Sequence, residues 1–247
     1  MSVTEIASYI DHTILKPTTT HMDIKKMCEE AVQFGFAAVC IPPSLVTEAR
    51  RELQIALEDS IVPKDDDCVE RSPLQKVATV IGFPFGYSVP AAKLAETQQA
   101  LTEGADELDV VINLTALKAG DWTFLAREMA SLVETIHSKG RLIKVIIESG
   151  ILTDEEIIRC CEIYGKLGVD FVKTSTGYAE KGATVEAVRL MRQHLPGNIK
   201  IKASGGIRTF AFARQLVEAG ADRLGCSASV DIVQQQQASS DKLQAGA

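Results

Sequence analysis

Apolar and polar positions change their period many times along this chain. Short runs of continuous or alternating apolar residues are followed by longer stretches in which they recur every three to four positions, the spacings of strands and helices. Strand-like runs lie at Ser8 to Ile14, Ala37 to Ile41, Lys76 to Gly82, Glu107 to Asn113, Leu142 to Glu148, Phe171 to Ser175, Ile199 to Ala203 and Arg223 to Ser227. Helical spacing fills His21 to Phe34, Ser44 to Leu57, Pro90 to Glu103, Trp122 to Ser138, Thr153 to Lys166, Ala183 to His194 and Phe210 to Ala219. Thr153-Asp154-Glu155-Glu156 reads as a capping box, and Gly35, Gly104, Gly140, Gly168 and Gly220 stand where helices need to end. Eight strands alternating with helices over 247 residues predict an α/β fold, a (β/α)8 TIM barrel with a short N-terminal helix before its first strand. A doubly wound open sheet would carry a Gly-rich turn after the first strand, and none is present. One domain over residues 1–247 is expected, with a surface loop at 58–75 and a flexible polar tail at 234–247. Asp65-Asp66-Asp67 in that loop lacks the spacing of a calcium site.

Alternation also assigns faces. The outward face of a barrel strand packs under helices and must be apolar. Leu108, Val110 and Ile112 meet that need in the fourth strand, which turns Glu107, Asp109, Val111 and Asn113 inward. The same reasoning turns Cys40, then Lys144, Ile146 and Glu148, then Lys200, Lys202 and Ser204 inward, while Phe171, Lys173 and Ser175 share one face. Barrel interiors are normally filled by branched apolar side chains. Lys144, Lys173, Lys202, Asp109 and Glu148 in that space are therefore a candidate site, since buried ion pairs seldom improve on apolar packing.

Composition narrows the class. The net charge of −7 supplies no basic surface for nucleic acid, and no stretch is long and apolar enough for a membrane span. The start, MSVTEIASYIDH, lacks the features of a secretory signal. Six cysteines (Cys28, Cys40, Cys68, Cys160, Cys161 and Cys226) have neither disulfide nor metal spacing and read as reduced thiols of a cytoplasmic protein. Four dispersed histidines form no metal motif, so neither metal nor other cofactor is expected.

Two glycine turns point to a phosphate. Ser204-Gly205-Gly206 follows the seventh strand and Gly225-Cys226-Ser227 closes the eighth, the two places where this fold cradles phosphate groups on backbone N–H. Lysines suit carbonyl chemistry. An amine that is neutral at working pH attacks a carbonyl to give an imine, which draws electrons and permits cleavage of a neighbouring C–C bond. A second lysine nearby favours the neutral form, and Asp109 is placed to relay a proton. Pattern alone does not choose among Lys144, Lys173 and Lys202 as nucleophile.

Asp11-His12-Thr13, Val80-Ile81-Gly82-Phe83-Pro84, the run from Gly104 to Val111, Lys144 to Glu148, Phe171-Val172-Lys173-Thr174-Ser175-Thr176-Gly177 and the run from Lys202 to Thr209 together resemble the signature blocks of the deoxyribose-phosphate aldolase family. The resemblance spans residues 9 to 230, and its KTSTG and KASGGIRT blocks are highly specific. It implies reversible cleavage of 2-deoxy-D-ribose 5-phosphate to glyceraldehyde 3-phosphate and acetaldehyde through a lysine imine. It implies Lys173 as the imine-forming residue, with Lys202 and Asp109 in proton transfer. It places phosphate contacts at Gly177, Gly205, Gly206, Gly225 and Ser227, and other substrate contacts at Asp11, Thr13, Cys40, Lys144 and Thr176. The implied protein acts on small molecules as a homo-oligomer, dimer or tetramer. Ala228 stands where some members carry a second serine, and the tail lacks the tyrosine with which some members end. Two rival expectations are an isomerase with Glu148 as its base and a catalytically inert metabolite sensor.

Overall fold

The structure, a computed structural model, describes residues 6–60 and 75–245, with side chains to residue 238. Among these residues the order is β1 (Ile10–Thr13), α1 (His21–Phe34), β2 (Ala38–Ile41), α2 (Val46–Ser60), β3 (Lys76–Ile81), α3 (Pro90–Thr102), β4 (Glu107–Val111), α4 (Leu114–Lys118), α5 (Trp122–His137), β5 (Leu142–Ile146), α6 (Asp154–Leu167), β6 (Phe171–Lys173), α7 (Val185–His194), β7 (Lys200–Ser204), α8 (Phe210–Glu218), β8 (Arg223–Cys226) and α9 (Ser229–Ala245). Each strand pairs in parallel with the next, and β8 returns to β1, closing the expected barrel.

Local chemistry explains the boundaries. Thr20 and Thr153 each accept the third helical N–H of α1 and α6, while the third residue's carboxylate accepts the cap's own N–H. The five glycines expected at helix ends all have positive φ, a conformation that costs other residues energy. Outward strand residues such as Val39, Ile41, Leu108, Val110, Val145, Val172 and Ile201 join the helices in one apolar cluster. Burying each such side chain contributes about 1.5–3 kcal/mol, which fixes the faces and hence the register. Inside the barrel Ala38, Cys40, Ala78 and Val80 form a small apolar patch, with Leu15 and Phe83 packed on it.

Several expectations need correction. Ile6 and Ala7 are helical and Ser8 and Tyr9 form a turn, so the first strand starts at Ile10; the rest of the expected N-terminal helix lies outside the described residues. α2 runs through Ser60, making the start of the expected 58–75 loop helical, while residues 61–74, with Asp65 to Asp67, lie outside the described residues. The tail expected at 234–247 is helical to Ala245, and Ile232, Val233 and Gln236 are buried at the start of that helix. Asn113, expected as an inward strand residue, caps α4 by accepting from the Ala116 N–H. The sixth strand stops at Lys173, and Thr174 onward forms the loop above it.

Candidate active site

Register sets the site. Asp109 lies beside Lys144 across β4 and β5, Lys173 beside Lys202 across β6 and β7, and Lys202 beside Arg223 across β7 and β8. All five point into the barrel, and Asp11 joins them from β1. The result is one buried network. Asp109 Oδ1 accepts from Lys144 Nζ at 2.8 Å, and its Oδ2 accepts from Lys173 Nζ and Lys202 Nζ, each at 2.7 Å. Asp11 Oδ2 lies 2.5 Å from Lys202 Nζ and 3.4 Å from Lys144 Nζ, charge contacts without hydrogen-bond alignment. Glu107 Oε2 lies 2.6 Å from Lys144 Nζ. Arg223 donates to Asp11 through Nε at 2.8 Å and through Nη2, and to both oxygens of Glu107 at 3.2 and 3.3 Å.

The cations divide by their partners. Burial disfavours the charged form of each lysine, but Asp109, Glu107 and Asp11 outweigh it at Lys144 and hold that ammonium above its usual range. Asp109 and Asp11 do the same at Lys202. At Lys173 burial prevails with help from the Lys202 charge, against the pull of Asp109, and the amine is pushed down. Burial also opposes the charges of Asp109 and Asp11, yet the surrounding cations hold both carboxyls below their ordinary range. Of these three lysines, Lys173 is thus the one that most readily loses its proton.

Above this network opens a cavity of about 520 Å³ whose floor includes Lys173. Thr13, Thr176, Gly177, Gly205, Gly206, Gly225 and Ser227 also line it. Asp11, Cys40, Asp109, Lys144 and Lys202 do not reach the cavity and lie beneath or beside its floor. Gly205 and Gly206 have φ of 89° and 78°, so two successive residues need the left-handed region and a side chain at either would be strained. A Cβ on Gly225 would stand 2.8 Å from Ser204 Cβ and 3.2 Å from Lys202 Cε. Lys16, Lys26 and Arg208 add exposed cations around the cavity. The arrangement therefore offers an amine pushed toward its neutral form at one end and backbone N–H with positive charge at the other. An aldehyde carrying an anionic group several atoms away fits both ends.

Two features escaped the sequence reading. Tyr178 crosses the mouth of the barrel, donating its hydroxyl to Leu15 O at 2.7 Å and meeting Phe83 edge-on at 5.3 Å between centroids. Arg223 is the other, turned inward beside Lys202 by the register of β7 and β8. Glu148, the base of the rival isomerase reading, does not line the cavity. Its carboxylate accepts from the Thr176 N–H at 3.2 Å and from the Thr176 hydroxyl, while its backbone sits in the left-handed region at φ 56°. It braces the turn that carries Gly177. Among the described residues no group of three or more His, Cys, Asp or Glu is arranged to hold a metal, and no helix is long and apolar enough to cross a membrane.

A closed barrel with paired lysines under a glycine-lined cavity at the ends of its strands has the architecture of a (β/α)8 enzyme. Residues 6–235 match the model of the DeoC/LacD family of aldolases, and the chain belongs to that family. It is 47% identical over 230 residues to a deoxyribose-phosphate aldolase of Thermococcus gammatolerans, covering 93% of this chain and 96% of the relative. A deoxyribose-phosphate aldolase of Bacillus mycoides is 48% identical over 228 residues, covering 92% and 94%. Among solved structures, a tetrameric deoxyribose phosphate aldolase of Aeropyrum pernix superposes with a TM-score of 0.82 at 31% identity, covering 96% of this chain and 92% of the other.

Proposed function

We propose that this protein cleaves 2-deoxy-D-ribose 5-phosphate reversibly to D-glyceraldehyde 3-phosphate and acetaldehyde, with Lys173 as the imine-forming residue. One observation carries the reading: Lys173 is the cavity-lining lysine whose amine is pushed toward neutrality, and it shares that cavity with the Gly205-Gly206 turn. The Lys173 amine attacks C1 of the open-chain sugar, and loss of water leaves an iminium. Loss of the proton on the C3 hydroxyl lets that oxygen form a carbonyl. The C2–C3 bond then breaks, and its electrons pass into the iminium to give an enamine. Glyceraldehyde 3-phosphate departs. Protonation of the enamine at C2 and hydrolysis release acetaldehyde and restore the amine. Asp109, in contact with Lys173, and Lys202, on the same oxygen, relay these protons from beneath the cavity floor through water.

Gly177, Gly205, Gly206, Gly225 and Ser227 hold the phosphate, and Thr13 and Thr176 border the sugar chain. Asp11 and Lys144 serve the substrate from below, through the charges of the network, and Cys40 lines the inner wall of β2. In this reading the protein is a cytoplasmic enzyme of deoxyribose phosphate breakdown that needs no added cofactor. It assembles as a homo-oligomer, as its relative from Aeropyrum pernix does.

The decisive experiment is borohydride reduction with 2-deoxyribose 5-phosphate, followed by peptide mass mapping, alongside assay of both products. A reduced two-carbon adduct on Lys173 and release of acetaldehyde are expected. Product formation with an adduct on Lys144 or Lys202 would reassign the nucleophile. Absence of any product would overturn the reading.

A further inference from the structure

Seven ionisable groups fill the inside of the barrel below the cavity, four basic (Lys144, Lys173, Lys202 and Arg223) and three acidic (Asp11, Glu107 and Asp109). All but Arg223 are at most 3% exposed. In so enclosed a space a fourth positive charge has no counter-charge of its own, and one base must give up its proton. Arginine cannot be that base at accessible pH. Lys144 faces three carboxylates and Lys202 two, whereas Lys173 faces only Asp109 Oδ2, which it shares with Lys202. The shortage therefore falls on Lys173.

We propose that Arg223 and Glu107, at the floor of the barrel and out of reach of substrate, are positioning residues that set the protonation of Lys173 through this count of charges. Arg223 supplies a permanent cation and engages both Asp11 and Glu107, leaving the three lysines to share what those carboxylates have left. Without Arg223, three lysines would meet three carboxylates and Lys173 could keep its proton. Without Glu107, four bases would meet two carboxylates and Lys173 would shed its proton more readily.

The other groups around Lys173 do not upset the count. Burial, the largest influence on the Cys40 thiol across β2, pushes it up and keeps it uncharged. Glu148, beyond β5, feels the Lys173 charge, but it spends its carboxylate on Thr176, and burial, the largest influence on it, pushes it up and weakens it as a fourth counter-charge. Lys200, at the opposite end of β7, is exposed and stands over the Phe171 ring. The directions at Lys144 and Lys202, both upward, and at Lys173, downward, agree with this division.

The inference rests on Lys173 being the nucleophile, and the test separates the two. The rate of borohydride-trapped imine formation with acetaldehyde, read by mass on the Lys173 peptide, is followed against pH in wild type, Arg223→Met, Arg223→Lys and Glu107→Gln. Melting curves accompany each variant. Arg223→Met should move the rising limb to higher pH, with about tenfold or greater loss near neutrality for each unit moved and recovery in alkali. Arg223→Lys should restore most of the wild-type limb, and Glu107→Gln should move it to lower pH. Limbs that stay in place, or move in the same direction in Arg223→Met and Glu107→Gln, would overturn the proposal. If Arg223→Met does not fold, Glu107→Gln decides alone, a downward move supporting the proposal and an unmoved or raised limb refuting it. A wild-type protein that traps nothing on Lys173 would sink the nucleophile assignment instead.

Discussion

Lys173 and Lys202 donate to the same oxygen, Oδ2 of Asp109, each at 2.7 Å. Two ammonium groups that close repel one another, and Lys202 has the second carboxylate, Asp11, at 2.5 Å. Lys202 therefore keeps its proton and Lys173 yields.

Lys202→Leu should remove one positive charge from beside Lys173 and raise the pH at which activity appears. The sign follows from the amine being active only when neutral, so activity is present above its pKa and lost as pH falls through it. Each unit of upward displacement corresponds to tenfold less amine near neutrality, about 1.4 kcal/mol. A pH–rate profile checks this, together with trapping that still labels Lys173 at high pH. A profile with the wild-type limb would leave Lys202 a different role, such as binding substrate hydroxyls.

Gly225→Ala should damage both ends of the site at once. The added carbon would press on Ser204 Cβ, 2.8 Å away, and on Lys202 Cε, 3.2 Å away. Overpacking of this kind costs about 1–3 kcal/mol. A lower urea midpoint is expected, with kcat falling alongside a raised KM for the phosphorylated substrate. A wild-type midpoint and unchanged kinetics would show that the barrel yields at this point more easily than its packing indicates.

Cys40 shares the inner wall with Ala78 and Val80 and feels the charges of Lys202, Asp109 and Lys173. It is buried and does not line the cavity, so unsaturated aldehydes that form from acetaldehyde during turnover would have to pass the cavity floor to alkylate it. Cys40→Ala should outlast wild type in concentrated acetaldehyde while keeping its initial rate within a few-fold. Equal inactivation rates in the two proteins would remove Cys40 from that chemistry.

His12 gives stability a pH dependence. It faces away from the barrel, with Nδ1 2.9 Å from Ser229 Oγ and Nε2 2.9 Å from Glu30. Burial outweighs the favourable Glu30 carboxylate and pushes its pKa down from 6.5. The unfolded chain then binds the proton first as pH falls below that value, so stability should decline from pH 7.5 to pH 5.5. Urea midpoints at the two pH values should converge in His12→Gln relative to wild type. An equal decline in both would place the effect on other groups.

Much of this site is legible in the sequence, because a strand gives up its faces to simple alternation. Asp109, Lys144 and Lys202 interrupt apolar runs at the inward parity, and only a use or a partner justifies them there. Helical lysines carry no such signal. Lys93 on α3 looks like an ordinary surface residue, yet it is fully buried, donating to Val111 O and to Glu128, each at 2.9 Å. Its environment is made by α5 and the end of β4, which no local window contains. Tyr178 escaped for the same reason, since its partners Leu15 and Phe83 come from the loops after β1 and β3. The polar stretch in α9 misled by composition, since the helix is anchored by a few buried positions, Ile232, Val233 and Gln236.

The ring of strands closes on itself through β1 and β8, and this makes turnover a proofreader of assembly. A slip of one residue in any strand would exchange its two faces, driving charged groups under the helices and apolar ones into the ring. The eight pairings constrain one another, so such an error has no free edge at which to be absorbed. A misthreaded molecule would then be silent rather than slow. The specific activity of a refolded preparation should accordingly count the correctly threaded molecules, and its losses should appear as fewer active sites with the rate per site unchanged.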